Sequence, residues 1–258
     1  MLRAVIIILA LSGLLNATSV FAGRVTVAVA ANFTGVAREL VPLFEQQTGH
    51  RVKLSYGSTG KLYAQIQHGA PYEVFLSADV ARPQRAIKEG LAVKGTDFTY
   101  AKGKLVLWSA DPDLFDQRTG PEFLAAGSFA RLAIANPKTA PYGQAALQYL
   151  QAQGLWQPIK KKVVRGDSIA QTFQFVATGN AQLGFVALAQ IKSWQSGTGS
   201  LWEPSEQQIA SIEQQAVLLT RGKENPAAHA FVSFLKSDKA RAVIQSAGYG
   251  VFERIAKE

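Results

Sequence analysis

Apolar residues recur along this chain with two periods, and one period gives way to the other again and again. Val25, Val27 and Val29 alternate with Thr26, Ala28 and Ala30, the two-residue repeat of a strand. From Phe33 onward the repeat lengthens: Phe33, Val36, Ala37, Leu40, Leu43 and Phe44 share one side of a helix over 33–46, which Thr48-Gly49-His50 ends. A second strand is expected over 51–56 and a second helix over 61–68, stopped by Gly69-Ala70-Pro71. A third strand follows over 74–77. Strands and helices in this order predict a parallel, doubly wound α/β sheet.

The pattern then restarts. Residues 104–109 form another strong strand, and Asp111-Pro112-Asp113 opens a loop. A second α/β set follows: strand 132–135, helix 142–153, strand 163–164, helix 169–178, strand 183–188. Gly197-Thr198-Gly199-Ser200 reads as a surface loop, 215–220 as one more strand, and 226–247 as closing helical segments carrying Phe231, Phe234, Leu235, Val243 and Ile244. Two such sets, joined near Leu105 and near Val217, predict two lobes linked by two hinge crossings. Residues 23–104 and 218–258 are assigned to the first lobe and 105–217 to the second. A cleft between lobes that share two hinges is a common way to enclose a small ligand.

Four places where a strand gives way to a helix stand out: Ala31-Asn32-Phe33-Thr34-Gly35, Gly57-Ser58-Thr59-Gly60-Lys61, Ala140-Pro141-Tyr142-Gly143 and Gly166-Asp167-Ser168-Ile169. A helix start carries unpaired N–H groups and the positive end of the helix dipole, so it attracts anions. In open α/β sheets, ligands sit beyond the C-terminal ends of the strands, where these junctions lie. The set suggests a protein that holds a small anion with neutral groups.

Each junction also has a plainer reading. The hydroxyls of Ser58 and Thr59, with the N–H groups of Thr59, Gly60 and Lys61, can meet one anion, or the hydroxyls simply cap their helix. Asn32 can donate through its amide or act as a cap. Tyr142 follows Pro141 at a helix start and offers a phenol or an N–H, or packs as a surface aromatic. Ile169 offers an N–H, with Asp167 as the cap that leaves it free. Lys61 adds positive charge or is solvated. Gly166-Asp167-Ser168 has an enzyme reading too, with Ser168 as nucleophile. That needs a nearby base, and His50, His68 and His229 all lie at unrelated positions with no Gly-x-Ser-x-Gly elbow. The histidines lack metal-ligand spacing, and Gly57-Ser58-Thr59-Gly60-Lys61 lacks the spacing of a nucleotide phosphate loop.

The N-terminus and the charge refine this picture. Met1-Leu2-Arg3 precedes an apolar run over 4–15, and Val20-Phe21-Ala22 approximates the small-x-small end of a secretory signal peptide cleaved after Ala22. The other reading, a membrane anchor, meets a run that is short for a span and broken at 16–19. The chain has no cysteine, which excludes disulfides and thiolate metal sites and suits an exported protein of the bacterial periplasm. A net charge of +9 raises a nucleic-acid reading. The cations are scattered, however, and the densest run, Lys160-Lys161-Lys162 with Arg165, has no interleaved aromatics to stack bases. A solvated basic face that speeds encounter with a small anion fits better, and no nucleic-acid partner is expected.

Several stretches together resemble the periplasmic molybdate-binding proteins of bacterial molybdate ABC transporters, the ModA family. They are Ala30-Ala31-Asn32-Phe33, Gly57-Ser58-Thr59-Gly60-Lys61-Leu62 with Gln65-Ile66, Gly69-Ala70-Pro71 with Val74-Phe75-Leu76-Ser77-Ala78-Asp79, Asn136-Pro137 with Ala140-Pro141-Tyr142-Gly143, and Gly184-Phe185-Val186-Ala187. The resemblance spans nearly the whole chain after the signal. It implies a two-lobe type II periplasmic binding fold, with each lobe a doubly wound and mainly parallel sheet, that closes on molybdate or tungstate. The family's ligand positions fall on Ala31 and Asn32, on Ser58 and Thr59, on Tyr142 and on Ile169. It further implies neutral donors, no cofactor and no protein ligand to molybdenum itself. The expected protein is a monomer that delivers its ligand to a membrane permease driven by a cytoplasmic ATPase. Some members add a Tyr after the position of Val186, where this chain has Ala187. Many have a second Ser where this chain has Thr59.

With such a site, cavity size would separate molybdate from sulfate. The lack of an inward carboxylate would reject hydrogen-bearing phosphate, provided Asp167 faces away. Two alternatives remain open from the residues alone: the same fold binding sulfate or phosphate, and a periplasmic hydrolase using Ser168.

Overall fold

A computed structural model describes residues 22–115, 117–194 and 199–251. The expected signal peptide over 1–22 lies outside the described residues except for Ala22, as do Gly197 and Thr198 of the expected loop.

The chain begins with β1 (Arg24–Ala30), a 3-10 turn (Ala31–Phe33) and α1 (Thr34–Thr48). It continues with β2 (Arg51–Gly57), α2 (Thr59–Gln67), β3 (Val74–Leu76), α3 (Ala81–Lys88) and β4 (Phe98–Gly103). It then crosses to β5 (Leu105–Ser109), α4 (Gly120–Ala126), β6 (Leu132–Ala135), α5 (Pro141–Ala152), α6 (Trp156–Ile159) and β7 (Val163–Gly166). After α7 (Ile169–Ala177), β8 (Leu183–Ala187), α8 (Leu188–Lys192) and β9 (Ser200–Trp202) it returns through β10 (Ile212–Leu218), α9 (Pro226–Leu235) and α10 (Asp238–Ser246).

Among the described residues the strands form two five-stranded sheets, ordered β2-β1-β3-β10-β4 and β7-β6-β8-β5-β9. Each sheet has the same plan. A central strand pairs in parallel with two neighbours, β1 with β2 and β3 in one sheet, β6 with β7 and β8 in the other. Two antiparallel strands then complete it, β10 and β4 in the first sheet, β5 and β9 in the second. The α/β two-lobe architecture therefore holds, with each sheet mixed rather than uniformly parallel.

Helices cover the sheets through apolar faces that the sequence spacing prescribes. α1 buries Val36, Ala37, Leu40 and Phe44 against β1 and against Phe231 and Phe234 of α9. Burying each of the larger side chains is worth roughly 1.5–3 kcal/mol. The second lobe closes over Phe123, Leu150 and Phe185 in the same manner. Phe33 anchors the edge of the cleft between the lobes. It is fully buried, edge-on to Tyr100 and Tyr249 at ring distances of 4.8 and 5.5 Å, and it pins the turn that carries Ala31 and Asn32.

The crossings differ from expectation in one respect. Only Lys104 separates β4 of the first sheet from β5 of the second. The expected boundary at 217/218 instead cuts β10, which pairs along its length with β3 and β4 of the first sheet. The return crossing therefore precedes Ile212. Glu213, Gln214 and Gln215 hid the start of this strand, because polar residues break the apolar alternation. Ser200, expected in a loop, instead opens β9 and is buried, its hydroxyl accepting the Leu114 N–H at 3.1 Å.

Candidate functional site

All four strand-to-helix junctions form as helix starts at the ends of parallel strands: β1 into the turn and α1, β2 into α2, β6 into α5, β7 into α7. They meet. Ala31, Asn32, Ser58, Thr59, Tyr142 and Ile169 line one small cavity between the lobes, with Ala30, Ala78, Ala140 and Pro141 completing its walls. The cavity is small, about 10 Å³. A larger groove of about 430 Å³ opens beside it between α1 and the α7–α8 pair, and shares Ala31 and Asn32. The smaller cavity is the candidate site, because the helix starts and an orphaned hydroxyl converge there.

That hydroxyl belongs to Ser58. Ser58 occupies the N-cap position of α2 yet makes no side-chain cap bond, and its Oγ is buried without a hydrogen-bond partner. Simple capping is thus not its role. Thr59 is 1 % exposed and its Oγ1 accepts the Ala78 N–H at 3.1 Å, which leaves its own hydrogen to donate. The Gly60 N–H does not reach the cavity, because it donates to the Thr139 carbonyl of the opposite lobe at 2.8 Å. Thr59 and Lys61 keep first-turn N–H groups that an α-helix leaves without internal partners.

In the second lobe, Pro141 opens α5 without an N–H, so the amide of Tyr142 is the first donor of that helix. Ile169 opens α7, and its cap is Ser168, whose Oγ accepts the Gln171 N–H at 3.3 Å. The cap was expected to be Asp167. That carboxylate instead pairs with Lys61 across the cleft at 2.9 Å, with side chains 71 % and 50 % exposed respectively. Both ions therefore stand outside, and the cavity wall holds no charged side chain. Gln190 steadies the start of α7, donating to the Ile169 carbonyl at 3.2 Å and accepting the Ala187 N–H at 3.1 Å.

Two expected side-chain donors are committed elsewhere. The Asn32 amide donates both hydrogens away from the cavity, to Gln214 Oε1 at 2.7 Å and to the Tyr249 hydroxyl at 3.0 Å. The Tyr142 phenol accepts from Gln214 Nε2 at 3.1 Å and bonds to Tyr249, so Tyr142 is a buried linker rather than a surface aromatic. Asn32 and Tyr142 thus line the cavity with their side-chain tips committed elsewhere. Burial pushes the phenols of Tyr100, Tyr142 and Tyr249 well above the ordinary tyrosine range, which keeps them uncharged beside the helix starts.

Gln214 is the residue that sequence reading missed. It is fully buried on β10 and touches both Asn32 and Tyr142. The signal available was weak, a glutamine in the polar run Glu213-Gln214-Gln215 just before the apolar Ala216-Val217-Leu218, where a buried unpaired amide would be costly.

The hydrolase reading finds no support at Ser168. Its oxygen is used by its own helix, while His50 Nδ1 accepts the Gly23 N–H and His229 bonds to the Lys223 carbonyl. Among the described residues no group of three or more His, Cys, Asp or Glu side chains is placed to hold a metal ion.

Comparison with known proteins gives a consistent answer. Residues 25–250 match the family model described as bacterial extracellular solute-binding protein. The molybdate-binding protein ModA of Azotobacter vinelandii is 51% identical over 246 residues, covering 95% of this chain and 97% of that protein. ModA of Rhodobacter capsulatus is 47% identical, with 88% of each chain covered. The solved structure of the periplasmic molybdate-binding protein of A. vinelandii superimposes with a TM-score of 0.84 and 43% identity, covering 89% of this chain and all of that one.

Proposed function

Since the chain belongs to the bacterial extracellular solute-binding proteins and, within them, to the ModA family, we propose that it captures molybdate, and tungstate with it, in the cavity between its lobes. It acts as a non-enzymatic carrier in the periplasm, exported by the signal peptide over 1–22. As a monomer it hands the oxyanion to the membrane permease of an ABC transporter.

One observation carries this reading: the Ser58 hydroxyl is buried and unpartnered where four helix starts converge. A buried hydroxyl without a partner costs free energy, and an oxyanion oxygen relieves that cost. The Thr59 hydroxyl and the N–H groups of Asn32, Tyr142 and Ile169 surround the same space. Each charge-assisted hydrogen bond contributes roughly 1.5–3 kcal/mol, so several together give tight binding without a counter-charge. Sulfate is the smaller tetrahedral dianion and fills a cavity set for molybdate less well. Hydrogen-bearing phosphate finds no acceptor, because Asp167 faces outward.

The test is thermal melting of the mature protein with molybdate, tungstate, sulfate and phosphate at equal concentration. A ligand that binds only the folded chain raises the melting temperature. Molybdate and tungstate should each give a large rise and the other two little. A rise with sulfate or phosphate alone would reassign the ligand.

A further inference from the structure

Five side chains meet in a closed polar cluster directly behind the cavity: Asn32, Tyr100, Tyr142, Gln214 and Tyr249, each no more than 4 % exposed. Four come from the first lobe and its hinge strands, and Tyr142 comes from the second lobe. Gln214 sits at the centre. Its Oε1 accepts from Asn32 Nδ2 at 2.7 Å and lies 3.1 Å from the Tyr100 hydroxyl. Its Nε2 donates to the Tyr142 hydroxyl at 3.1 Å. Tyr249 ties the ring by donating to the Asn32 carbonyl at 2.8 Å while accepting from the Asn32 amide. The cluster abuts the first crossing. A Cβ on Gly103, the last residue of β4, would stand 1.8 Å from the Tyr142 hydroxyl and 2.6 Å from Gln214 Nε2.

We propose that Gln214 is a positioning residue for the ligand: its amide holds Asn32 of one lobe and Tyr142 of the other at once, and so sets the spacing of the two donor groups across the cavity. This rests on the oxyanion-binding role proposed for the cavity. The amide suits the task because it presents an acceptor and a donor in one rigid plane. The acceptor takes the lobe that carries Asn32, and the donor takes the lobe that carries Tyr142. Both partners then turn only backbone N–H groups to the cavity. Gln214 lies at the irregular point of β10, where the pairing with β4 shifts register between Gln214 and Gln215. That irregularity aims its side chain at the crossing rather than along the sheet face. A spacing fixed behind the cavity by uncharged groups sorts ligands by size and adds no charge that would repel a dianion.

The experiment measures molybdate association and dissociation rates separately, together with preference over sulfate and melting of the free protein. Gln214→Leu removes both halves of the bridge at similar volume. The expected result is a dissociation rate raised tenfold or more, an association rate within about twofold of wild type, and a narrowed preference over sulfate. Tyr142→Phe removes only the hydroxyl that crosses between lobes and should raise dissociation several-fold. Gln214→Glu supplies a readout that packing alone would not move. Its carboxyl, protonated at low pH, keeps one acceptor and one donor, whereas the ionised form has no donor to offer Tyr142. Dissociation from this variant should quicken as pH rises, while wild type stays flat. Gln214→Leu and Tyr142→Phe proteins that melt cooperatively, with rates and selectivity within twofold of wild type, would overturn the proposal. If Gln214→Leu does not fold, Tyr142→Phe and the pH profile of Gln214→Glu decide. A wild-type protein that ignores molybdate but answers sulfate overturns the ligand assignment instead, and the same variants are then read against sulfate. One that answers no oxyanion sinks both.

Discussion

The backbone N–H of Gly60 donates to the carbonyl of Thr139 across the cleft at 2.8 Å, binding the start of α2 to the loop before α5. A Cβ at position 60 would stand 3.0 Å from both the Cα and the carbonyl oxygen of Thr139. A side chain here would press the two lobes apart by a few tenths of an ångström. Gly60→Ala should weaken molybdate binding by roughly fivefold to tenfold, the order of cost of mild overpacking. Because the backbone contact is with Thr139 across the cleft, and the other neighbour is the flexible end of Arg82, melting of the free protein should change little. Calorimetric titration checks the first effect and melting curves the second.

Ser58→Ala removes a hydroxyl that has no partner within the protein. The free protein should melt at the same temperature or slightly higher, since an unsatisfied buried group disappears. Molybdate affinity should fall about tenfold or more, the loss of one charge-assisted bond. Unchanged affinity would take Ser58 out of the site.

The Lys61–Asp167 pair spans the mouth of the cleft with both side chains well exposed. Exposed pairs contribute at most about 1 kcal/mol and are screened by salt. Asp167→Ala should therefore lower affinity by less than about fivefold at low ionic strength, and the difference from wild type should vanish in high salt. A larger loss that persists in salt would mean that Asp167 acts inside the cavity.

The buried tyrosines make the fold sensitive to alkali. Tyr100, Tyr142 and Tyr249 have folded-state values raised above the ordinary 10.0 by burial. Above that pH the unfolded chain releases phenolic protons that the folded chain retains, so stability is full below pH 10 and is lost as pH rises toward the folded values. Each tyrosine contributes a slope of up to about 1.4 kcal/mol per pH unit. Denaturant melts from pH 9 to 11 should show this fall, and Tyr249→Phe should make it shallower.

Much of the site was legible in the chain. The change from a two-residue to a helical repeat after Ala30 and Tyr56, and the Pro141 and Ser168 starts, locate the four junctions to within a residue or two, because those signals are local. Strand β4 left no such mark. Its sequence Phe-Thr-Tyr-Ala-Lys-Gly alternates poorly, and it is held by pairing with β10 and by the bridge from Lys102 to Gly250. The fate of side chains was less legible still. Asn32 and Tyr142 line the cavity, but their polar tips bond behind it, since the partner that takes them lies 182 and 72 residues away. No local pattern reports a bond of that range.

The place of β10 in the first sheet governs the order in which the chain can assemble. The strand lies between β3 and β4, which are made long before it, and the whole second lobe comes between. A growing chain can complete the second sheet from β5 to β9 while β4 still lacks a neighbour in its own sheet. The first lobe must wait for the last quarter of the sequence. Such non-local closure slows folding.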